Sequence, residues 1–251
     1  MIDRLIEFEE LESTNLYCRQ LDARTLQEFT VIWAHNQTAG VGQRGNLWVS
    51  ESGKNLTFSI ILHPSFISCK DQYELTKILS LGVSDCLGNE VGNVTIKWPN
   101  DIYIGNKKVA GILIENLMGE SFHTAICGIG INVNQVHFSN QAPNAISLKL
   151  LTNKDYDLLK LLDAVVDSIE QRYIQYKNNG PKTIDNEYLE RLMSLNKMAQ
   201  YLYHGEVISA TINGVSPFGH LLLTTDKGTP IECSLKEIEI WHSQTNKGDL
   251  L

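Results

Sequence analysis

A glycine-rich stretch at residues 37–48, QTAGVGQRGNLW, is the first segment with chemical potential. Its glycines let a backbone approach a ligand closely, and successive free amides in such a loop bind anions. Arg44 adds a positive charge and Trp48 a flat apolar face. The spacing matches neither a P-loop nor a dinucleotide fingerprint. Taken alone, the stretch is equally consistent with a mobile surface loop.

A second segment starts at residues 97–101, KWPND, where Pro99 fixes a turn that presents polar side chains at a strand end. A charged turn containing Lys107 and Lys108 then leads into the strand-like run 109–115, VAGILIE. Small side chains in that run would leave room for a flat ligand against a sheet. An ordinary polar turn before a buried strand is the alternative.

Two shorter segments carry polar groups next to glycine or to a helix start. Residues 128–134, GIGINVN, hold two glycines, which in a strand usually mark a close backbone approach. Asn132 follows them, and its amide offers both donors and an acceptor to a heterocycle edge. Ser13, Thr14 and Asn15 stand at a predicted helix start, where Ser13 is expected to act as an N-cap. A simple cap is the alternative for this triplet.

Strands and helices alternate over the first 195 residues, and they must position these segments. Apolar and β-branched runs predict strands, and apolar residues at helical spacing predict helices. The predicted strands are 2–8, 29–34, 55–62, 94–98, 102–104, 109–115 and 124–133. The predicted helices are 13–21, 73–87, 155–176 and 187–195. Residues 36–54 are predicted to form a long loop, and loops of this length tend to be functional or disordered.

The pattern changes after residue 196, where short strands follow one another between turn residues. They are predicted at 198–203, 207–215, 221–225, 231–234 and 238–241. Five short strands in so few residues indicate a small barrel. We therefore predict an α+β fold with a mixed, largely antiparallel sheet flanked by helices in residues 1–195, and a small β-barrel domain in residues 196–251.

Composition narrows the class of protein. The 251 residues are 43% apolar and 20% charged, as in globular proteins, and the formal net charge is −8. Because nucleic-acid-binding proteins usually carry a basic face, DNA is not an expected partner. The N-terminus is neither a signal peptide nor a membrane span. Five cysteines without metal-ligand spacing favour a reducing compartment, so we expect a cytoplasmic protein without a membrane partner.

The four segments, in this order, resemble those of the biotin protein ligase family. The likeness extends over essentially the whole chain and is most specific in KWPND, in 108–111, KVAG, and in GIGINVN. It implies a catalytic domain in residues 1–195 and an SH3-like domain in residues 196–251. The implied reaction joins biotin to ATP as biotinyl-5′-AMP and transfers biotin to one lysine of a carboxylase's biotin carboxyl carrier domain.

The resemblance also implies residue roles. Lys108 would direct positive charge at the α-phosphate, and Asp101 would orient or deprotonate the incoming lysine, of which only about one in a thousand is neutral at pH 7. The biotin-binding set would be Ser13, Thr14, Asn15, Gln37, Gly40, Gly42, Gln43, Gly111 and Ile112. The ATP- or adenylate-binding set would be Arg44, Trp48, Lys108 and Asn132. Mg²⁺ would arrive on the ATP phosphates, without a metal site of protein ligands.

The glycine-rich stretch departs from the family pattern. Many members carry arginines where this chain has Val41, Gln43 and Asn46, so only Arg44 and the glycines remain. Because the stretch brings less positive charge, we expect Lys108 and Mg²⁺ to carry more of the electrostatic work. We also expect weaker retention of the adenylate.

Several alternatives stay open at this point. A lipoate–protein ligase or octanoyltransferase shares the catalytic fold, but a lipoyl group has no urea to match the Ser-Thr-Asn triplet, and the loop typical of those enzymes is missing. A second alternative is a non-catalytic regulator that binds biotin. The presence of Lys108 and Asp101, to which the resemblance gives catalytic roles, argues against it. Some relatives double as repressors through an N-terminal DNA-binding domain, for which the early triplet leaves no room, so a ligase alone is expected. A homodimer is an open alternative.

Overall fold

A computed structural model describes residues 2, 4–118, 122–140, 142–235 and 237–240. The strands are β1 (Leu5–Leu11), β2 (Val31–Gln37), β3 (Leu56–Leu62), β4 (Thr95–Lys97), β5 (Asp101–Ile104), β6 (Lys107–Met118), β7 (Phe122–Ile131), β8 (Met198–Tyr203), β9 (Glu206–Val215), β10 (Leu221–Thr225), β11 (Pro230–Cys233) and β12 (Ile238–Ile240). The helices are α1 (Thr14–Gln20), α2 (Tyr73–Val91), α3 (Leu148–Thr152), α4 (Leu158–Asn179) and α5 (Pro181–Arg191).

Seven strands form the larger sheet, in the order β1-β2-β3-β7-β6-β5-β4. β1 and β2 run parallel, and the other neighbouring strands pair antiparallel. β3 lies near the middle, and all seven of its residues are buried, which fits its nearly unbroken apolar sequence. The predicted mixed, largely antiparallel sheet is confirmed.

Helices α2 and α4 cover one face of this sheet and pack closely against each other. A Cβ on Gly82 of α2 would lie 2.7 Å from Cα of Ile169 in α4, so the glycine sets how near the two helices come. Apolar side chains of α4, including Leu162, Val165 and Ile169, are fully buried in the same core as β3. Helix α1 packs on β3 and β7 and brings its N-terminus to the sheet's polar centre.

The second sheet contains five antiparallel strands in the order β11-β10-β9-β8-β12. Residues 192–196 connect it to the larger sheet: Met193 N–H donates to the Ile96 carbonyl and Asn196 N–H to the Ile212 carbonyl. The predicted boundary near residue 195 falls in this segment, and the division into two domains stays a prediction. The strand predicted at 238–241 is β12, and Trp241 lies outside the described residues.

Three local expectations differ from the structure. Lys107 and Lys108 were predicted in a turn, but both belong to β6. The turn is formed by residues 105–106, where Gly105 adopts a φ of +58° that favours glycine. Helix α3 was not predicted, since five residues are too few to show helical periodicity. The helix predicted at 187–195 is α5, which begins six residues earlier at Pro181. Among the described residues, no helix is both long and apolar enough to cross a membrane.

Candidate active site

A cavity of about 440 Å³ opens over the centre of the larger sheet and reaches the second sheet. Most of the predicted site residues share it. Those in its wall are Ser13, Thr14, Asn15, Gln37, Gly42, Gln43, Trp48, Asp101, Lys108, Gly111 and Ile112. They come from α1, from the glycine-rich stretch and from β5 and β6, which the sheet order brings together.

The start of α1 forms one polar end of the cavity. Ser13 has the extended backbone of an N-cap, but its side chain makes no capping hydrogen bond, which corrects the expected role. Instead, the Thr14 N–H donates to Oε1 of Gln37 at 2.7 Å. Oε1 also accepts from the Thr14 hydroxyl at 3.2 Å, so both of its lone pairs are used and the Gln37 amide can offer only its Nε2 donors to a ligand.

Ser59 of β3 lies beneath this end and was not among the predicted site residues. Its Oγ is fully buried and lies 2.7 Å from both Oγ1 of Thr14 and Oδ1 of Asn15. The Ser59 hydroxyl donates to these two oxygens, and the Thr14 hydroxyl in turn donates to Oε1 of Gln37 at 3.2 Å. The lone pair of Thr14 that remains can accept from a ligand.

Asn15 is anchored by protein groups at both ends of its amide. Its Nδ2 donates to Oε2 of Glu115 at 3.2 Å and approaches the Leu113 carbonyl at 3.5 Å. Glu115 is a second residue that the sequence analysis did not single out, and it also lies 3.7 Å from Nε of Arg19. This geometry makes Asn15 a part of the wall that positions Thr14, rather than a free amide.

Lys108 and Asp101 form an ion pair in the cavity. Nζ of Lys108 lies 2.7 Å from Oδ1 of Asp101, and both side chains are partly exposed to the cavity. The pairing of β5 with β6 sets this contact, since Asp101 stands opposite Gly111 and Tyr103 opposite Lys108. A lysine ammonium has three donors, so one can hold Asp101 while the others face an anionic ligand.

The KWPND turn is held from three directions. Its Asn100 side chain donates to the Ile112 carbonyl, and the Ile112 N–H donates back to the Asn100 carbonyl. The indole N–H of Trp98 donates to the Gly219 carbonyl at 2.9 Å, which links the turn to the second sheet. The Tyr73 hydroxyl of α2 donates to the Pro99 carbonyl at 3.1 Å. The turn therefore sits in a fixed position beside the ion pair.

Lys97, the first residue of this turn, is partly buried in the cavity wall. Its burial lowers the pKa of the ammonium, and the nearby positive charge of Lys108 acts in the same direction. Nζ lies 5.3 Å from the centre of the Tyr103 ring, a distance at which a cation is attracted to the ring face. Lys97 adds positive charge near Asp101 that the sequence analysis did not assign to the site.

The two glycines of GIGINVN leave room for two site residues. A Cβ on Gly128 would lie 2.4 Å from Oδ1 of Asn15, and a Cβ on Gly130 would lie 2.4 Å from Cε2 of Trp48. The close approach expected at these glycines therefore exists, and side chains make it. The Trp48 ring also lies 5.7 Å from Nζ of Lys108, and its buried Nε1 has no partner among the described groups.

The predicted long loop lies between β2 and β3, and within it the glycine-rich stretch folds back on itself as a short hairpin with a bridge between Val41 and Leu47. The Trp48 N–H donates to the Gly40 carbonyl, and the Gly42 N–H donates to the Asn46 carbonyl at 2.7 Å. Since the Gly42 amide is used internally, it is not free for an anion. A Cβ on Gly40 would lie 2.5 Å from the Trp48 carbonyl oxygen, so the hairpin requires glycine there. The Arg44 side chain lies outside the described part of the structure.

Two predicted residues lie beside the cavity and not in its described wall. Gly40 is buried in the hairpin, and Asn132 is 4% exposed, with its backbone N–H donating to the Val109 carbonyl. The roles of all the predicted residues remain predictions. Within the described ranges, no group of three His, Cys, Asp or Glu side chains could hold a metal ion.

Comparisons with known proteins agree with this geometry. Residues 7–132 match the Biotin/lipoate A/B protein ligase family. The Bifunctional ligase/repressor BirA of Bacillus subtilis (strain 168) is 32% identical over 240 residues, which cover 91% of this chain and 71% of that protein. The Biotin--[acetyl-CoA-carboxylase] ligase of Paracoccus denitrificans is 30% identical over 192 residues, covering 73% of this chain and 79% of that protein.

A solved structure gives the same result for the fold. The biotin protein ligase from Aquifex aeolicus in complex with biotin and ATP superposes with a TM-score of 0.81 at 29% identity. The match covers 96% of this chain and 100% of that one. The chain therefore belongs to the biotin/lipoate A/B protein ligase family, and its relatives place it among the biotin protein ligases of that family.

Proposed function

We propose that this protein joins biotin to ATP and then transfers the biotinyl group to a lysine of a biotin carboxyl carrier domain. The observation that carries the proposal is the convergence, in one cavity, of the Lys108–Asp101 ion pair with the polar end made by Thr14 and Gln37. The Aquifex relative, which binds biotin and ATP, supports the same pair of substrates.

The polar end suits the urea of biotin. Thr14 can accept a hydrogen bond and Gln37 can donate one, so the urea N–H and C=O groups both find partners. Burying a urea without such partners would cost a few kcal/mol, which makes this end selective. Apolar wall residues, including Phe58 and Ile129, suit the sulfur ring.

In the first half-reaction, a biotin carboxylate oxygen attacks the α-phosphorus of ATP. A P–O bond forms, the bond to pyrophosphate breaks, and biotinyl-5′-AMP remains. Both reactants are anionic, so the Lys108 ammonium lowers the repulsion between them; a unit charge at about 4 Å contributes about 4 kcal/mol at an effective dielectric of 20. Mg²⁺ bound to the ATP phosphates would add positive charge there. No group of three His, Cys, Asp or Glu side chains among the described residues could hold the ion, so the phosphates would be its main ligands.

In the second half-reaction, a neutral lysine amine attacks the acyl carbon, AMP leaves, and an amide forms. The amine loses one proton, and we assign to Asp101 the role of accepting that proton or of orienting the amine. Because Asp101 is held by Lys108, its carboxylate keeps one orientation before the acceptor arrives.

The experiment combines the protein with biotin, ATP, Mg²⁺ and a purified biotin carrier domain, followed by intact mass spectrometry. We expect the mass of one biotinyl group on the carrier, and no change when its acceptor lysine is replaced by arginine. Pyrophosphate release without carrier reports the first half-reaction. Biotin binding without pyrophosphate release would indicate a non-catalytic regulator. Transfer of a lipoyl group to the carrier, and not of a biotinyl group, would indicate a lipoate ligase.

A further inference from the structure

The strands β4, β5 and β6 place three charged side chains in one row along the wall of the active-site cavity. β5 lies between β4 and β6 in the larger sheet. Lys97 of β4 stands directly opposite Asp101 of β5, and Lys108 of β6 stands opposite Tyr103, two residues further along β5. Because residues two apart on a strand point to the same face, the Asp101 carboxylate lies between two ammonium groups. No step of the proposed reaction uses Lys97.

Aromatic and acidic neighbours hold the Lys97 side chain in this row. Its Nζ lies 5.3 Å from the centre of the Tyr103 ring, which is its diagonal neighbour across β4 and β5. The negative charges of Asp101 and of Glu239, in β12 of the second sheet, both act on the ammonium. Glu239 lines the same cavity. Lys97 is therefore held between the KWPND turn and the second sheet.

Placing this ammonium in the cavity wall has a free-energy cost. Burial lowers the pKa of Lys97, and the positive charge of Lys108 acts in the same direction. Removing a charge from water is unfavourable unless other interactions compensate for the loss. A perturbed charge that lies in a cavity beside reacting groups is more often functional than one on an open surface. The placement of Lys97 therefore indicates that the site uses its charge.

The charges of the site balance when Lys97 is counted. Nζ of Lys108 lies 2.7 Å from Oδ1 of Asp101, so this ion pair is neutral before the substrates bind. The adenylate brings a phosphate with a further negative charge, and Lys108 then has to serve two anions. A second anion disfavours the ionised form of a nearby carboxylate. The Lys97 ammonium, on the other side of Asp101, supplies the second positive charge.

We propose that Lys97 is a positioning residue for the second half-reaction, whose ammonium holds Asp101 in place while Lys108 is shared with the adenylate phosphate. Lys97 acts through Asp101 and contacts neither biotin nor ATP. The inference rests on the proposed function, because that function assigns Asp101 to the acceptor lysine. It adds a division of work between the two lysines: Lys108 serves the phosphate, and Lys97 serves the carboxylate.

Two other roles of Lys97 would give different results. An ammonium that contacted the ATP phosphates would affect adenylate formation as strongly as transfer. A lysine that accepted the proton of the acceptor lysine would first have to be neutral, which an arginine side chain is not in proteins. Lys97→Arg therefore separates a requirement for positive charge from a requirement for a proton acceptor.

The test measures the two half-reactions separately in the whole protein. Pyrophosphate release with biotin and ATP reports adenylate formation, and single-turnover transfer from the preformed adenylate to a carrier domain reports the second step. We expect Lys97→Met to lower the transfer rate about tenfold or more, the effect of losing a charge-assisted contact, and to leave adenylate formation close to that of the wild type. Lys97→Arg should restore most of the transfer. Lys227→Met, at an exposed turn of the second sheet, removes the same charge and should change neither step.

A double variant shows whether Lys97 acts through Asp101. Two residues that act through one group are not additive, so Lys97→Met should lower transfer little further when combined with Asp101→Asn. Wild-type transfer by Lys97→Met, equal loss of both half-reactions, failure of Lys97→Arg to restore transfer, or full additivity in the double variant would each overturn the proposal. Absence of transfer by the wild-type protein would contradict the proposed function instead, so the two failures are distinguishable.

Discussion

Trp48 occupies the space above β7 that Gly130 leaves open, since any Cβ at residue 130 would lie 2.4 Å from Cε2 of the indole. Gly130→Ala should therefore displace the ring and destabilise the protein by about 1–3 kcal/mol, as expected for overpacking. Urea unfolding and tryptophan fluorescence would measure both effects. Gly214→Ala is the matched control, because the nearest atom would lie at an ordinary 3.9 Å. Identical behaviour of the two variants would contradict the placement of Trp48.

The ion pair between Lys108 and Asp101 predicts different defects for its two members. Lys108→Ala should lower the rate of adenylate formation by about 100- to 1000-fold, because it removes the charge directed at the phosphate. Asp101→Asn should still form the adenylate but lose most of the transfer to the carrier. Single-turnover assays with radiolabelled biotin, with and without carrier, separate the two steps. Normal transfer by Asp101→Asn would exclude its role with the acceptor lysine.

The hairpin lacks arginines at three positions, which predicts fast loss of the adenylate from the enzyme. Gln43→Arg restores one charge in the cavity wall and should slow release of biotinyl-5′-AMP by up to about tenfold, the range of a partly exposed charge. Rapid filtration of enzyme without carrier measures the release. Gln27→Arg, at an exposed site away from the cavity wall, is the control. Wild-type release as slow as that of an arginine-bearing relative would refute the prediction.

Ser59 should act on biotin binding without touching the ligand. Removing its hydroxyl in Ser59→Ala frees Thr14 and leaves Oδ1 of Asn15 unpaired, so we expect the KM for biotin to rise about tenfold, with a small change in kcat. Ser80→Ala offers a close control: Ser80 is equally buried, but its Oγ has no partner among the described groups, so its loss breaks no hydrogen bond. A KM change of equal size in both variants would assign the effect to general destabilisation.

The cysteines should differ sharply in reactivity. Burial raises the pKa of Cys18 and Cys233 to about 12 and that of Cys86 to about 11, and it raises that of Cys127 further. These thiols stay neutral at pH 8, whereas Cys69 is exposed. Mass spectrometry after iodoacetamide treatment should find one modified site in the native protein and five in urea. Native modification of Cys18 would contradict its burial.

The same shifts predict weaker stability in alkali. In the unfolded chain these thiols lose their protons near pH 9, but in the folded protein they keep them to about pH 11 or above. The unfolded state therefore binds fewer protons in this window, so the free energy of unfolding falls as the pH rises from about 8.5 to 10.5. Urea titrations at several pH values measure this slope, and a flat profile would be inconsistent with it.

Much of the fold was predictable because its signals are local. The strands β8 and β10 have the predicted bounds, since turn residues enclose these short and mostly apolar runs. The glycines of GIGINVN indicated a close approach because a glycine inside a strand usually marks a place where another group comes near the backbone. What occupies that space, Asn15 and Trp48, depends on strand pairing between distant parts of the chain.

The supporting residues of the site could not be predicted for the same reason. Ser59 stands in an apolar strand, 44 positions from Asn15, and Glu115 is 100 positions from it. Neither residue has a spacing pattern that links it to Asn15 before the sheet is assembled. Ser13 is the N-cap residue, as predicted, but its hydroxyl makes no capping hydrogen bond, and the polar contact at this helix start comes instead from Gln37, which is remote in sequence and accepts from the Thr14 amide.

Gly219 has a consequence for anyone who would shorten this protein. Its carbonyl accepts the Trp98 indole proton, and its α-carbon, at a φ of +85°, rests against the Tyr73 ring, where a Cβ would lie 2.4 Å away. A fragment that stopped at residue 195 would keep every predicted site residue and lose this support. A shortened version of this chain that still transfers biotin must therefore include the second sheet. Otherwise it needs another group that accepts the Trp98 proton and packs on Tyr73 in place of Gly219.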